Sequence, residues 1–411
     1  MTFSQYDSYL YMYILLLTMI PAIGLGLAGK RIKYYGMAAS AFMIYLIIGL
    51  DIQFKFLLGF MVWELACIYL FMWSRKKEKN KWTFRLFLLA TMMPLIINKV
   101  SAKLPIGVLG FIGISYLSFR TIQIVIEIYD GAIKDLKFLD MVYFILFFPS
   151  LSSGPIDRSR RFEEEINQAI PRGEYLSKYL MPGIKKVFLG ILYKFAVATL
   201  IHLYFISNIV PSKSVVPIIL YMYAYTMYLF FDFAGYSLIA VGTSYIFGVH
   251  APDNFNKPFL SKDMKEFWTR WHISLSRWFG DYIFSRYVLN AMRNKKFKKR
   301  ATASHVAQMI TMTVMGFWHG LTWYYVAYGV YQGLMLVLTD EFTKKSKIYK
   351  KYKKEKWFQR LQIVITFNIV CFGMLIYYSY IPTHHIFWYQ LCQVLLHPYT
   401  VYQVAQVFFN L

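Results

Sequence analysis

Two histidines have the residue type and the surroundings that could do chemistry. His319 lies in "GFWHGL" and His272 in "TRWHIS"; Trp318 and Trp271 precede them, and Gly316 and Gly320 bracket His319. An imidazole titrates near neutrality, so it can take a proton from an attacking hydroxyl. An ionisable group among bulky apolar residues at membrane depth points to function, the alternative being a satisfied packing histidine. The glycines permit close approach of backbone or substrate. No G-x-S-x-G elbow, paired-carboxylate spacing, Walker loop or metal-ligand cluster occurs, so serine, glycosidase, ATPase and zinc chemistry lack support. A lone histidine base suits acyl transfer when the acyl group arrives already activated. Of the eight histidines, His202, His250, His305 and His397 stand near segment ends and His384 and His385 in a loop, where water contact explains them.

The elements that must position these residues are apolar. The 411 residues are 58% hydrophobic and 20% aromatic, outside the range of a soluble enzyme. One crossing needs about 20 mostly apolar residues as a helix. Candidate segments are Tyr9 to Ala28, Tyr35 to Leu50, Phe54 to Trp73, Phe84 to Ile97, Ile106 to Ile128, Phe138 to Leu151, Val187 to Ile206, Val215 to Phe231, Tyr236 to Val249, His305 to Trp318, Leu321 to Leu338 and Leu361 to Tyr380. The expectation is an all-α polytopic membrane protein, one membrane-embedded domain over residues 1–411. Spans fill 1–151, a core with the motifs fills 152–340, and further spans fill 341–411.

The net charge of +24 arises mainly from basic runs between apolar segments: Lys30 to Lys33, Arg75 to Lys81, Arg293 to Arg300 and Lys344 to Lys356. That distribution is the positive-inside bias of a multi-pass protein and argues against nucleic acid as a partner. The first basic residue is Lys30, so the start reads as a retained span with an extracellular N-terminus. Alternation then holds for five loops, through Lys134 to Lys137 inside. Cys67, Cys371 and Cys392, each in an apolar run, read as packing residues.

Beyond Leu151 some segments are too short or too polar to cross unaided, which is tolerated only when protein or a water-filled cavity surrounds them. "LSSGPIDRSRRF" reads as a Gly-Pro turn with basic residues at the membrane surface. "YLFFDFAGYS" places Asp232 in an aromatic run, where it needs a partner. Met264, Phe267, Trp268, Trp271, Leu275, Trp278 and Phe279 recur at three- and four-residue spacing, which predicts one amphipathic helix at the interface, capped by Ser261. The segment His305 to Trp318 is about 14 residues, or about 21 Å, too short to cross and ending at His319 inside the membrane's thickness.

"DMKEFWTRWHISLSRWFGDYIF", followed downstream by "GFWHG" and preceded by "FFDFAGYS" and "NFNKPF", resembles the signature of the membrane-bound O-acyltransferase family. The resemblance implies about 11 transmembrane helices in a ring around a thinned centre with short, re-entrant and interfacial helices. His319 then corresponds to the family's essential histidine and His272 to its second polar active-site position. Leu238 and "SRYVLN" stand where the alginate O-acetylases of the family usually carry an Asp and a Pro-Leu-Gly-Gly run. These departures make the chain similar to the branch that D-alanylates lipoteichoic acid in Gram-positive cell membranes.

That branch implies a separate, acidic cytoplasmic carrier protein presenting D-alanine as a phosphopantetheine thioester, with no permanently bound cofactor or metal. It also implies an acceptor on an extracellular transfer partner or a small membrane partner. "SRYVLNAMRNKKFKKR" independently offers Val288, Leu289 and Met292 at helical spacing beside Arg293, Lys295, Lys296 and Lys298, an apolar anchor rimmed by positive charge that suits carrier docking. The rivals are an O-acetyltransferase of an exported polysaccharide, and a transporter of a teichoic-acid intermediate whose polar residues would line a path.

Overall fold

The computed structural model describes residues 3–105, 107–209 and 215–377. His384, His385, Cys392 and His397 lie outside them. The described residues form helices and an isolated antiparallel bridge between Phe255 and Trp271, with no strand. Among the described residues, six helices are long and apolar enough to cross a membrane. By contacts the chain divides into Met1–Lys194 with Phe233–Asn254, and Phe195–Asp232 with Phe255–Leu411. These divisions fall at other positions than residues 151 and 340.

The first unit holds α1 (Tyr9–Leu27), α2 (Lys33–Ile48), α3 (Ile52–Lys77), α4 (Lys81–Ser101), α5 (Ile114–Asp130), α6 (Phe138–Ile145) and α7 (Ser159–Ile166). Two longer helices pass through it. α8 runs from Arg172 to Ile206 over 35 residues with π-helical stretches, and α9 runs unbroken over Val215–Ile246, 32 residues. The two segments expected on either side of Asp232 are therefore one helix. Gly235 does not break it because the residue is needed for packing. A Cβ on Gly235 would stand 2.7 Å from the Lys194 backbone nitrogen, and one on Gly242 would stand 2.5 Å from the Gly183 carbonyl oxygen. α8 and α9 cross glycine against glycine, the way spanning helices gain contact when lipid offers no hydrophobic drive.

The segment expected to span Phe138 to Leu151 is only the eight-residue α6 and a 3-10 turn, Phe148–Ser150. Fully buried Arg120 of α5 ties the end of α6 to that turn: Nη1 donates to the Phe144 and Ile145 carbonyls at 2.8 and 2.7 Å, and Nη2 to Ser150 Oγ at 2.7 Å. The loop beyond Ser150 is not a basic surface turn. Gly154 to Asp157 are buried, and Arg161 pairs with Asp157 and with Glu165 at 3.2 Å.

The second unit carries α10 (Met264–Arg270), α11 (Ile273–Phe279), α12 (Ser285–Arg293), α13 (Arg300–His319), α14 (Trp323–Lys345), α15 (Lys347–Tyr352) and α16 (Lys356–Tyr377). α13 has 20 residues, about 30 Å, not the 14 expected. The helix runs back past the expected start at His305 to Arg300, and there α14 packs over His305 while Thr302 stays exposed. His305 Nε2 lies 2.7 Å from Asp340 Oδ2 and Nδ1 lies 3.6 Å from Glu341 Oε1, so two carboxylates of α14 hold this half-buried ring. The first half of α9 packs with α16 through Tyr221, Met222, Tyr225, Cys371 and Leu375.

Candidate active site

His319 is the last residue of α13, and Gly320 follows with an extended backbone. The crossing of α13 over α14 fixes its place. A Cβ on Gly316 would lie 2.4 Å from the Tyr325 carbonyl oxygen, and one on Gly329 would lie 2.4 Å from the Met312 carbonyl oxygen. Any side chain at either position drives backbones apart. Gly320 serves similarly, since a Cβ there would meet the Tyr325 ring at 2.5 Å.

The half-buried His319 ring sits in an aromatic cage. Trp318 lies 4.6 Å away by ring centroid, Tyr377 of α16 5.0 Å, Tyr325 6.1 Å and Tyr328 6.2 Å. The Tyr377 hydroxyl stands 3.4 Å from His319 Nδ1. Tyr328 is buried, and its ring packs on Tyr377 at 5.2 Å. The sequence reading missed these three tyrosines. Tyr325 and Tyr328 lie six and nine residues beyond His319, so "WYYVAYG" was the available signal; Tyr377 is brought in by packing of α16 on α14, which nothing local announces.

His272 is differently placed. The expected single amphipathic helix breaks there: His272 has φ 45°, ψ 53°, left-handed, between α10 and α11. The apolar spacing continues across the break, which hid it. Asp263 and not Ser261 caps α10, its Oδ1 accepting from Glu266 N at 2.8 Å, while Ser261 Oγ donates to the Pro258 carbonyl at 2.6 Å. The break frees Trp271 to bridge to Phe255, where its ring packs on Phe255 at 5.1 Å and Phe267 at 5.6 Å. Trp271 therefore pins the break, and His272, 4% exposed, is buried behind it. His319 contacts α14 and α16, and His272 belongs to the α10–α11 junction. Asp232 is half-buried midway along α9.

The candidate docking segment is α12 with the turn after it. Val288 is 7% exposed and Leu289 68%, so Val288 packs inward and the apolar residue presented is Leu289, beside half-buried Met292. The inward turn of Val288 corrects the three-residue anchor, because only one side of a short packed helix faces out. Arg293, Lys295, Lys296 and Lys298 are exposed, with Lys295 in a left-handed turn at φ 50°. No group of three or more metal-ligating side chains occurs among the described residues.

The sequence model of the membrane-bound O-acyltransferase family matches residues 40–382, which contain both histidines and the helices that carry them. The chain belongs to this family. This membrane acyltransferase is 41% identical over 394 residues to a teichoic acid D-alanyltransferase of Bacillus subtilis (strain 168), covering 93% of this chain and 99% of the relative. It is 40% identical over 381 residues to the enzyme of that name from Streptococcus thermophilus, covering 87% and 91%. A probable alginate O-acetylase of Pseudomonas syringae is 30% identical over 275 residues, 65% of this acyltransferase and 49% of the relative.

Proposed function

We propose that the chain transfers D-alanine from a phosphopantetheine thioester on a separate carrier protein to a hydroxyl acceptor, for D-alanylation of lipoteichoic acid. The observation that carries this is His319 at the end of α13, caged by tyrosines and turned toward the Tyr377 hydroxyl. Near full-length similarity to enzymes named for teichoic acid D-alanyl transfer supports the acyl group.

In this reading Nδ1–H donates to the Tyr377 oxygen, which leaves Nε2 as the base. The acceptor O–H gives its proton to Nε2 as the oxygen attacks the thioester carbonyl. The C–S bond then breaks, and the departing thiolate takes the proton and leaves as thiol. The activated thioester supplies the driving force, so the step needs neither ATP nor a metal. His272 holds the α10–α11 junction and positions the arm. The carrier docks on Leu289, Met292 and the basic turn Arg293 to Lys298, while the acceptor arrives from the outer face, belonging to an extracellular or small membrane partner. A ring of about 11 spans with an extracellular N-terminus completes the reading.

His319→Ala in vesicles supplied with carrier bearing labelled D-alanine is expected to abolish label transfer while carrier binding and thermal unfolding stay as in the parent. Near-normal transfer would remove His319 from the mechanism. Reversing charge at Lys295, Lys296 and Lys298 is expected to weaken carrier binding, the difference shrinking as salt rises.

A further inference from the structure

Next to the tyrosine cage, the contact of α14 with α16 continues through a fully buried amide. Gln332 stands one turn beyond Tyr328 on α14, and Gly373 one turn before Tyr377 on α16. Tyr328 on Tyr377, 5.2 Å between ring centroids, and Gln332 on Gly373 are thus successive layers of one contact. A Cβ on Gly373 would stand 2.5 Å from Gln332 Nε2, so glycine is what leaves room for the amide there. Gln332 is 0% exposed, yet neither its Oε1 nor its Nε2 has a hydrogen-bond partner among the described residues.

Two more groups of this kind stand at the same level on α13. A Cβ on Gly333, the residue after Gln332, would lie 3.0 Å from Met309 Sδ and 3.4 Å from Met312 Cβ, which sets this part of α14 beside those two methionines. Each methionine follows one of the groups in question: Gln308 Oε1 and Thr311 Oγ1 are buried and also without a hydrogen-bond partner among the described residues. The level lies about 15 Å from His319 along α13, roughly midway to Arg300 and the basic turn. Buried polar atoms are nearly always paired, and at membrane depth an unpaired one is strongly disfavoured. Three such side chains at one level call for a partner that brings hydrogen-bonding groups of its own. Together they offer carbonyl acceptors, N–H donors and a hydroxyl, and none of the three carries charge. That chemistry suits a neutral chain bearing amides; a phosphate would need a cation, and an acyl chain would pair with nothing.

We propose that Gln332, Gln308 and Thr311 form a collar that hydrogen-bonds the amides of the donor's pantetheine arm on its way from the basic turn to His319, a step that rests on the thioester reading of the donor. The enzyme then recognises the arm as well as the acyl group.

Gln332→Met keeps the length of the side chain and removes its hydrogen bonds. In vesicles supplied with carrier bearing labelled D-alanine, KM for the loaded carrier is expected to rise roughly tenfold with kcat nearly unchanged. Transfer from the thioethyl ester of D-alanine, a thioester without amides, is expected to stay as in the parent. In detergent the variant is expected to unfold no lower than the parent, because an unpaired amide has been removed. Pantetheine alone is expected to raise the unfolding temperature of the parent and not that of the variant. Should Gln332→Met fail to fold, Thr311→Val reads the same change in KM at roughly threefold. An unchanged KM in both variants overturns the collar, and so does an equal loss with the amide-free thioester. A lowered unfolding temperature with unchanged KM makes Gln332 a packing residue and also overturns it. A parent that transfers no D-alanine yet shows the pantetheine shift, lost in Gln332→Met, supports the collar and removes the D-alanyl reading instead.

Discussion

In the proposed mechanism the Tyr377 hydroxyl, 3.4 Å from His319 Nδ1, accepts from Nδ1–H and so leaves Nε2 as the base. Tyr377→Phe keeps the ring that packs on Tyr328 and removes only the oxygen. The expected result is a kcat roughly tenfold lower with KM for the loaded carrier nearly unchanged, because the base is mis-set while binding is intact. A parallel fall in thermal stability would make Tyr377 a packing residue only. This partnership was invisible from the chain, since the two residues meet only after α16 packs on α14. His319 itself was legible, because tryptophan and two glycines around one imidazole mark a close-packed helix end.

At the scale of elements, the break at His272 and the crossing of α13 on α14 carry the site. His272 has φ 45°, a conformation that asparagine adopts readily and a β-branched residue resists. His272→Asn should therefore unfold near the parent temperature in detergent, whereas His272→Val should lose about 1–2 kcal/mol of stability. Transfer activity of the well-folded Asn variant then separates the imidazole from the backbone shape. At the crossing, Gly329→Ala places a Cβ 2.4 Å from the Met312 carbonyl oxygen. Backbone cannot swing aside as a side chain can, so a loss of about 1–3 kcal/mol and impaired transfer are expected. An unchanged unfolding temperature would show that the helices give way freely. Helix periodicity predicted the apolar faces on both sides of His272, but periodicity carries no information about one residue turning left-handed. Nor did Asp232 and Gly235 end α9: a charge and a glycine look like punctuation until the opposing glycines of α8 explain them.

Across the whole molecule, fold class and family were legible because composition and the two histidine motifs are unusual, while helix lengths were not. His305 looks like a segment end in sequence, whereas two carboxylates of α14 hold it inside a longer helix. The first unit offers a test through His250, outside the spanning helices. Its backbone N–H donates to Glu165 Oε2 at 2.8 Å, and its carbonyl accepts from Arg161. Burial, then the Arg161 and Lys186 charges, lowers its pKa below the usual 6.5. The unfolded chain therefore takes up the proton first, and stability should fall as pH drops below about 6.5, down to the lowered folded value. His250→Gln should flatten that acid-side part of an unfolding-temperature profile. A variant that retains the full acid-side fall would assign it to another group.

α13 begins at Arg300, directly after the basic turn, and ends at His319. It is therefore a ruler. Twenty residues set roughly 30 Å between the place where a donor would be gripped and the nitrogen that would work on it. In the proposed reading, a carrier bound at the near end delivers its cargo on a tether of matching reach. Clipping the tether should spare recognition and stop delivery, and lengthening the helix by one turn, about 5.4 Å, should do the same from the other direction.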